Sequence, residues 1–255
     1  PPPHPQRRAH DDRRPLERIA LTPSRKRLRG PANGFFNRRW IGLDMDATVC
    51  VFGAVVSDAR TGRTLHRSTI ARPTVRKLLQ FFADRGDPVL VLQDAAETNL
   101  DYYLVNGARN VHFYDQWIAV APTSTERVTA WPDNAPEPLR IGIIETPDRI
   151  REVVQDVEAT FTNKEIKYNS IFAPNYGLHV VECFAPHVNK WHGIMQLAQD
   201  HDFEPSQVIA IGDDVNDVEM IRHAGLSVAM GNAIPLVREL ARIQTKTNNE
   251  AGVAA

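Results

Sequence analysis

The sequence predicts an α/β protein: a parallel sheet covered by helices, with an α+β lobe inserted into it. Three observations predict this. Short continuous apolar runs alternate with helical periodicity at both ends of the chain, as expected of strands buried on both faces. In the middle, strand-like runs outnumber helices, which marks a lobe of different architecture. Finally, carboxylates gather directly after two of the apolar runs, where open parallel sheets place their ligands.

The elements follow in order. Residues 1–39 hold PPPHPQRRAHDDRRP and SRKRLRG, rich in Pro and Arg and poor in core formers, and read as a disordered tail. Residues 1–40 carry ten Arg and Lys26 against Asp11, Asp12 and Glu17, a net +8, which leaves −9 for the rest of a chain whose overall charge is −1. The basic tail fits a nuclear address, a nucleic-acid patch, an organellar transit peptide or a silent solvated leader. The acidic body argues against nucleic acid as a partner.

WIGL (40–43) reads as the first strand, PTVRKLLQFFADRG (73–86) as a helix opened by Pro73 and stopped by Gly86, and PVLVL (88–92) as a second strand parallel to the first. The lobe, placed at 117–185, takes the strands LRIGIIE (139–145), IKYNSIFA (166–173) and LHVVECF (178–184) and an amphipathic helix at about 148–161. Core segments 40–116 and 186–255 flank it. The second contains a helix at 190–201, the strand QVIAIG (207–212), a helix at 215–225, the strand LSVAM (226–230) and a last helix at 233–243. No apolar run approaches the roughly 20 residues that span a bilayer. Cys50 and Cys183 lie far apart and lack metal-ligand spacing, so they read as buried thiols of a reducing compartment, the cytoplasm.

The chemistry sits at two strand ends. Asp44 and Asp46 follow WIGL; Asp213, Asp214 and Asp217 follow QVIAIG. If those strands are neighbours, the carboxylates converge and need a cation between them. Hard oxygens without His or Cys favour Mg²⁺. Asp214 and Asp217 also suit the opening of the helix that follows them, as caps.

IGLDMDATV (41–49) resembles the first motif of the haloacid dehalogenase superfamily, and VIAIGDDVNDVEMIRHAGLSVAMGNA (208–233) is similar to the fourth motif and following segment of its Cof-type, C2-capped (subfamily IIB) phosphatases. VNKWHGIMQLA supplies the matching Lys190, and NGA at 106–108 resembles the segment that precedes their cap. The resemblance covers roughly 40–252 and implies a Rossmann-like core with an inserted C2-type cap. It implies a Mg²⁺-dependent phosphomonoester hydrolase acting on a small phosphorylated metabolite, such as a sugar phosphate; separately, a monomer or weak dimer is expected. By that resemblance Asp44 is the nucleophile that becomes phosphoaspartate and Asp46 the acid/base. Metal ligands are Asp44, Asp46 through its carbonyl, and Asp213, with Asp217 holding metal-bound water. Asn216 and Lys190 face the phosphate, and Thr48 orients the first loop.

One motif departs from the pattern. Where these enzymes place a Ser or Thr followed by Gly-Arg, the strand PVLVL runs into QDAAE (93–97), so Gln93 takes the hydroxyl position. The stretch from Gln93 to Asn106 also leaves little room for a helix and its connection, so either the core has lost one α/β crossover or, the favoured reading, the chain comes from a gene model or splice form lacking a segment. Two alternatives stand beside hydrolysis: a phosphomutase-like transferase, and a catalytically impaired phosphatase fold kept as a binding module.

Overall fold

The computed structural model describes residues 47–109, 112–120, 123–173 and 177–254. The tail, the run WIGL, and with them Asp44 and Asp46, lie outside the described residues. Strand β1 (Ala47–Cys50) ends in a tight turn, Val51–Gly53, and the chain returns at once as β2 (Val55–Asp58) and β3 (Thr64–Arg67). The three form an antiparallel sheet in the order β1-β2-β3, with Thr48 opposite Ser57. Val51, Phe52 and Gly53 all have positive φ (51°, 60° and 100°), which for the two bulky residues is uncommon and costly. Gly53 has no alternative. A Cβ there would lie 1.9 Å from the Asn189 carbonyl oxygen, so the turn is pressed against the start of a distant helix. Phe52 anchors it by stacking on Phe184, with ring centroids 5.2 Å apart. The β2–β3 loop is closed by Asp58, whose Oδ1 accepts from the N–H groups of Arg60 and Thr61 and from the Thr61 hydroxyl.

Helix α1 (Arg72–Asp84) leads into β4 (Val89–Leu92), followed by the single turn α2 (Ala95–Thr98), β5 (Tyr102–Val105), α3 (His112–Val120) and β6 (Thr125–Val128). Next come β7 (Arg140–Glu145), α4 (Pro147–Thr160), β8 (Lys167–Ala173) and β9 (Leu178–Phe184). One six-stranded sheet collects them in the order β6-β5-β4-β7-β9-β8. Here one expectation is corrected. PVLVL forms a strand, but β4 runs antiparallel to both its neighbours, β5 and β7, and is no parallel partner of a first core strand. Only β5 and β6 are parallel within this sheet. The same pairings join strands on both sides of residue 117.

Period-two alternation splits β4 between two cores. Val89 and Val91 face α1 and α4, packing with Val75, Leu78, Phe82, Val153 and Val157. Leu90 and Leu92 face the other way, towards Tyr114 of α3 and Ala54, Val55 and Phe184. A charged cluster closes this layer. Arg109 Nη1 reaches Asp87 Oδ1 at 2.6 Å and Glu145 Oε2 at 2.7 Å, and both carboxylates are buried. Burial pushes the Glu145 carboxyl up, but the Thr146 N–H and Arg109 outweigh it and hold it low.

The last third is a separate parallel unit: α5 (Lys190–Asp200), β10 (Ile209–Gly212), α6 (Val218–His223), β11 (Leu226–Ala229), α7 (Pro235–Leu240) and β12 (Ile243–Gln244). Its sheet order is β10-β11-β12, all parallel. Ala210 and Ala229 pack with Val218, Ile221 and Val237 on the helix side. On the opposite face Ile209 is 65% exposed and Ile243 52%. Among the described residues β10 pairs only with β11 and is therefore an edge. The expected helix at 233–243 is shorter than its periodicity, ending at Leu240 before β12. Both cysteines are free thiols, and burial pushes Cys183 up to about 12. Among the described residues no helix is long and apolar enough to cross a membrane.

Candidate active site

The site is built at the carboxyl end of β10. Gly212 ends the strand, and a Cβ on it would meet the Asp217 side chain at 2.5 Å, so this glycine lets the carboxylate fold back over the strand end. Asp217 is buried. Its Oδ2 accepts from the backbone N–H groups of Asp213 (2.9 Å) and Asp214 (3.2 Å), and its Oδ1 accepts from Lys190 Nζ at 2.6 Å. Both oxygens are thus committed, one to the loop and one to the lysine. Asp214 is exposed and accepts from the Val215 N–H at 2.7 Å, opening the turn Val215–Asp217 with a capping box to Asp217. Asp214 therefore does the work of a cap, and Asp217 does both that and the pairing with Lys190.

Lys190 is placed by the start of α5. Asn189 is its N-cap, accepting from the His192 N–H at 2.8 Å, and the Gly53 turn packs directly against the Asn189 carbonyl. His192, one turn in, pairs through Nε2 with the Ser68 hydroxyl at 3.1 Å and lies beside His187, with ring centroids 4.7 Å apart. Burial, reinforced by the neighbouring His187, lowers its pKa. The contact ties the segment after β3 to the helix that carries Lys190.

Asp213 is pinned at three atoms. Its N–H donates to Asp217, its carbonyl accepts from the Ile234 N–H at 2.9 Å, and its Oδ2 accepts from Asn232 Nδ2 at 2.9 Å. Its Oδ1 takes no hydrogen bond from the described residues. Asn216 is half-buried in the turn between the two aspartates. The structure thus brings Lys190, Asp213, Asn216 and Asp217 to one place, and Thr48 lies within β1, whose exit turn packs on α5. Gln93 is elsewhere. It follows β4 in the six-stranded sheet, is 2% exposed, and its side-chain amide has no partner among the described residues.

Asp213 offers a carboxylate oxygen, a donor suited to a hard cation. Among the described residues no group of three or more His, Cys, Asp or Glu side chains is arranged to hold a metal. The roles of Asn232 and of the Ser68–His192 pair were not anticipated from sequence. Asn232 stood within the quoted MGNA, but single polar side chains in loops give no periodic signal.

The strand end with its buried aspartate and helix-borne lysine belongs to an α/β unit with a parallel sheet. The chain belongs to the haloacid dehalogenase-like hydrolases, whose sequence model matches residues 37–255. It is 37% identical over 105 residues to the 5-amino-6-(5-phospho-D-ribitylamino)uracil phosphatase YitU of Bacillus subtilis, covering 41% of this chain and 36% of that one. The fold is shared with BT1666 of Bacteroides thetaiotaomicron, a phosphatase of the superfamily (TM-score 0.62, 18% identity, 82% of this chain and 72% of that one). It is also shared with the subclass IIB sugar phosphatase BT4131 (TM-score 0.59, 18% identity, 82% and 74%). At these identities the structures speak for the fold alone. The chain covers 50%, 36% and 44% of the length of three of the curated relatives it matches.

Proposed function

We propose that the protein is a Mg²⁺-dependent phosphomonoester hydrolase acting on a small phosphorylated metabolite of the sugar-phosphate kind. The observation that carries this reading is the Lys190–Asp217 pair at the end of β10, with Asp213 held beside it. A carboxylate attacking a phosphate dianion must overcome like charge, and a fixed lysine next to the reaction centre lowers that barrier. Mg²⁺, when bound by Asp44, the Asp46 carbonyl and Asp213, supplies the rest of the positive charge.

The steps then belong to the chain's own residues. An Asp44 oxygen forms a bond to phosphorus while the bond to the ester oxygen breaks, and Asp46 gives its proton to the departing alcohol. Asp46 then takes a proton from water as that water attacks phosphorus, releasing phosphate and restoring the Asp44 carboxylate. Lys190, oriented by Asp217, and Asn216 steady the transferring group. Relatives named for a ribitylamino-uracil phosphate and for sugar phosphates support the substrate class. The two free thiols favour a cytoplasmic setting.

The test is phosphate release from sugar phosphates with and without Mg²⁺. Asp44→Asn is expected to abolish it, and activity surviving that substitution overturns the mechanism. One observation favours a second reading, a fold that binds Mg²⁺ and phosphate without turnover. Gln93 stands where the phosphate-holding hydroxyl is expected, buried in another sheet. Phosphate-analogue binding without release of product would select that reading.

A further inference from the structure

We infer that Asn232 is a positioning residue for the metal-binding carboxylate, and that its orientation is set by a backbone N–H from the C-terminal segment. The inference rests on the reading of Asp213 as a Mg²⁺ ligand. The geometry is a two-link chain: Asn248 N–H donates to Asn232 Oδ1 at 3.0 Å, and Asn232 Nδ2 donates to Asp213 Oδ2 at 2.9 Å. A carboxamide has one accepting and one donating end, and a backbone N–H can only donate. Asn248 therefore fixes which end of Asn232 faces it, and the donating end is left for Asp213. Were the amide reversed, two acceptors would face each other at Asp213 and two donors at Asn248.

The consequence falls on Asp213. With its N–H, its carbonyl and its Oδ2 all held, the remaining oxygen, Oδ1, points from a fixed carboxylate. Such outer partners of a metal ligand typically carry 10–100-fold of its affinity. The C-terminal segment is built to hold its end of the chain. Gly231 N–H donates to the Lys246 carbonyl at 3.0 Å, and a Cβ on Gly231 would meet the Thr247 nitrogen at 2.8 Å. Thr247 and Glu250 form a capping box that fixes Asn248 at the first position of the turn Asn248–Glu250, and Thr245 Oγ1 donates to the Gly252 carbonyl at 2.6 Å. Residues 245–252 thus act as the outer wall of the site.

Two substitutions separate this role from a structural one. Asn232→Leu keeps the branched shape at Cγ and removes both hydrogen bonds. Asn248→Pro removes only the N–H, at a first-turn position that accepts proline, after a Thr247 already extended at φ −69° and ψ 164°. Titrating Mg²⁺ into the full chain by calorimetry, we expect the dissociation constant to rise about 10–100-fold for Asn232→Leu. A smaller rise, several-fold, is expected for Asn248→Pro, whose freed amide turns either way. Melting temperatures should stay near wild type. Wild-type Mg²⁺ affinity in both variants overturns the inference. If Asn232→Leu fails to fold, Asn248→Pro alone decides. If the wild-type protein binds no Mg²⁺, the metal reading falls first and takes this one with it.

Discussion

The six-stranded sheet and the parallel three-stranded sheet β10-β11-β12 divide the labour of the molecule unequally. The first is packed on both faces, with α1 and α4 on one side and α3 and the Phe52 turn on the other. Among the described residues the second has helices on one face only, and isoleucines stand exposed on the other. Yet it is the second that carries Lys190, Asp213 and Asp217. Parallel sheets ordinarily have both faces covered. The difference teaches that burial among the described residues is concentrated in the sheet that holds none of the convergent candidate residues.

The sharpest way to probe this contrast is to make one substitution twice. Ile141, fully buried between α1, α4 and the sheet, should lose about 2–5 kcal/mol on replacement by Ala, read from denaturant unfolding. Ile209→Ala should stay within about 0.5 kcal/mol of wild type, as surface substitutions do. A cost above about 1.5 kcal/mol at Ile209, the scale of a buried aliphatic side chain, would show that its face is covered in solution and break the comparison. Next in size is Arg109→Met, which leaves the buried Asp87 and Glu145 facing each other. Because Arg109 itself is about one-third exposed, the expected loss is about 3 kcal/mol, the low end for breaking a buried ion pair. Unchanged stability there would show that Arg85, also paired to Asp87, suffices.

The smallest effect joins the two regions. His192 has a lowered pKa in the folded protein, so as the pH falls the unfolded chain takes up the proton first. The contribution of the neutral Ser68–His192 pair is complete above the ordinary imidazole value of about 6.5 and is lost as the pH drops through the lower folded value. Melting temperatures between about pH 7.5 and 5 should fall less steeply for His192→Gln than for wild type. Parallel curves would remove His192 as the group responsible.

Much of this was legible in the residues, and the exceptions have physical reasons. The runs LRIGIIE, LHVVECF, QVIAIG and LSVAM are long, apolar and β-branched, and each is a strand. PVLVL was recognisable as a strand but not as antiparallel, because a strand buried on both faces has the same apolar run in either kind of sheet. The β2–β3 hairpin was missed: VVSD and TLHR are four residues each, with polar members that give no sustained alternation. Among site residues, GDDVND announced Asp213 and Asp217 by their place after a strand. The partnership of Lys190 with Asp217 was foreseen only as nearness to phosphate, since a salt bridge between distant segments leaves no local trace.

The contact of Gly53 with the Asn189 carbonyl also bears on how the chain assembles. The two residues are separated in sequence by the entire six-stranded sheet, so their meeting closes a very long loop, and contacts of that separation slow folding. The turn that follows β1 cannot seat until Asn189 has been delivered by the completed β9 and the opening of α5. A chain interrupted before Asn189 would hold every strand of the six-stranded sheet and none of Lys190, Asp213 and Asp217.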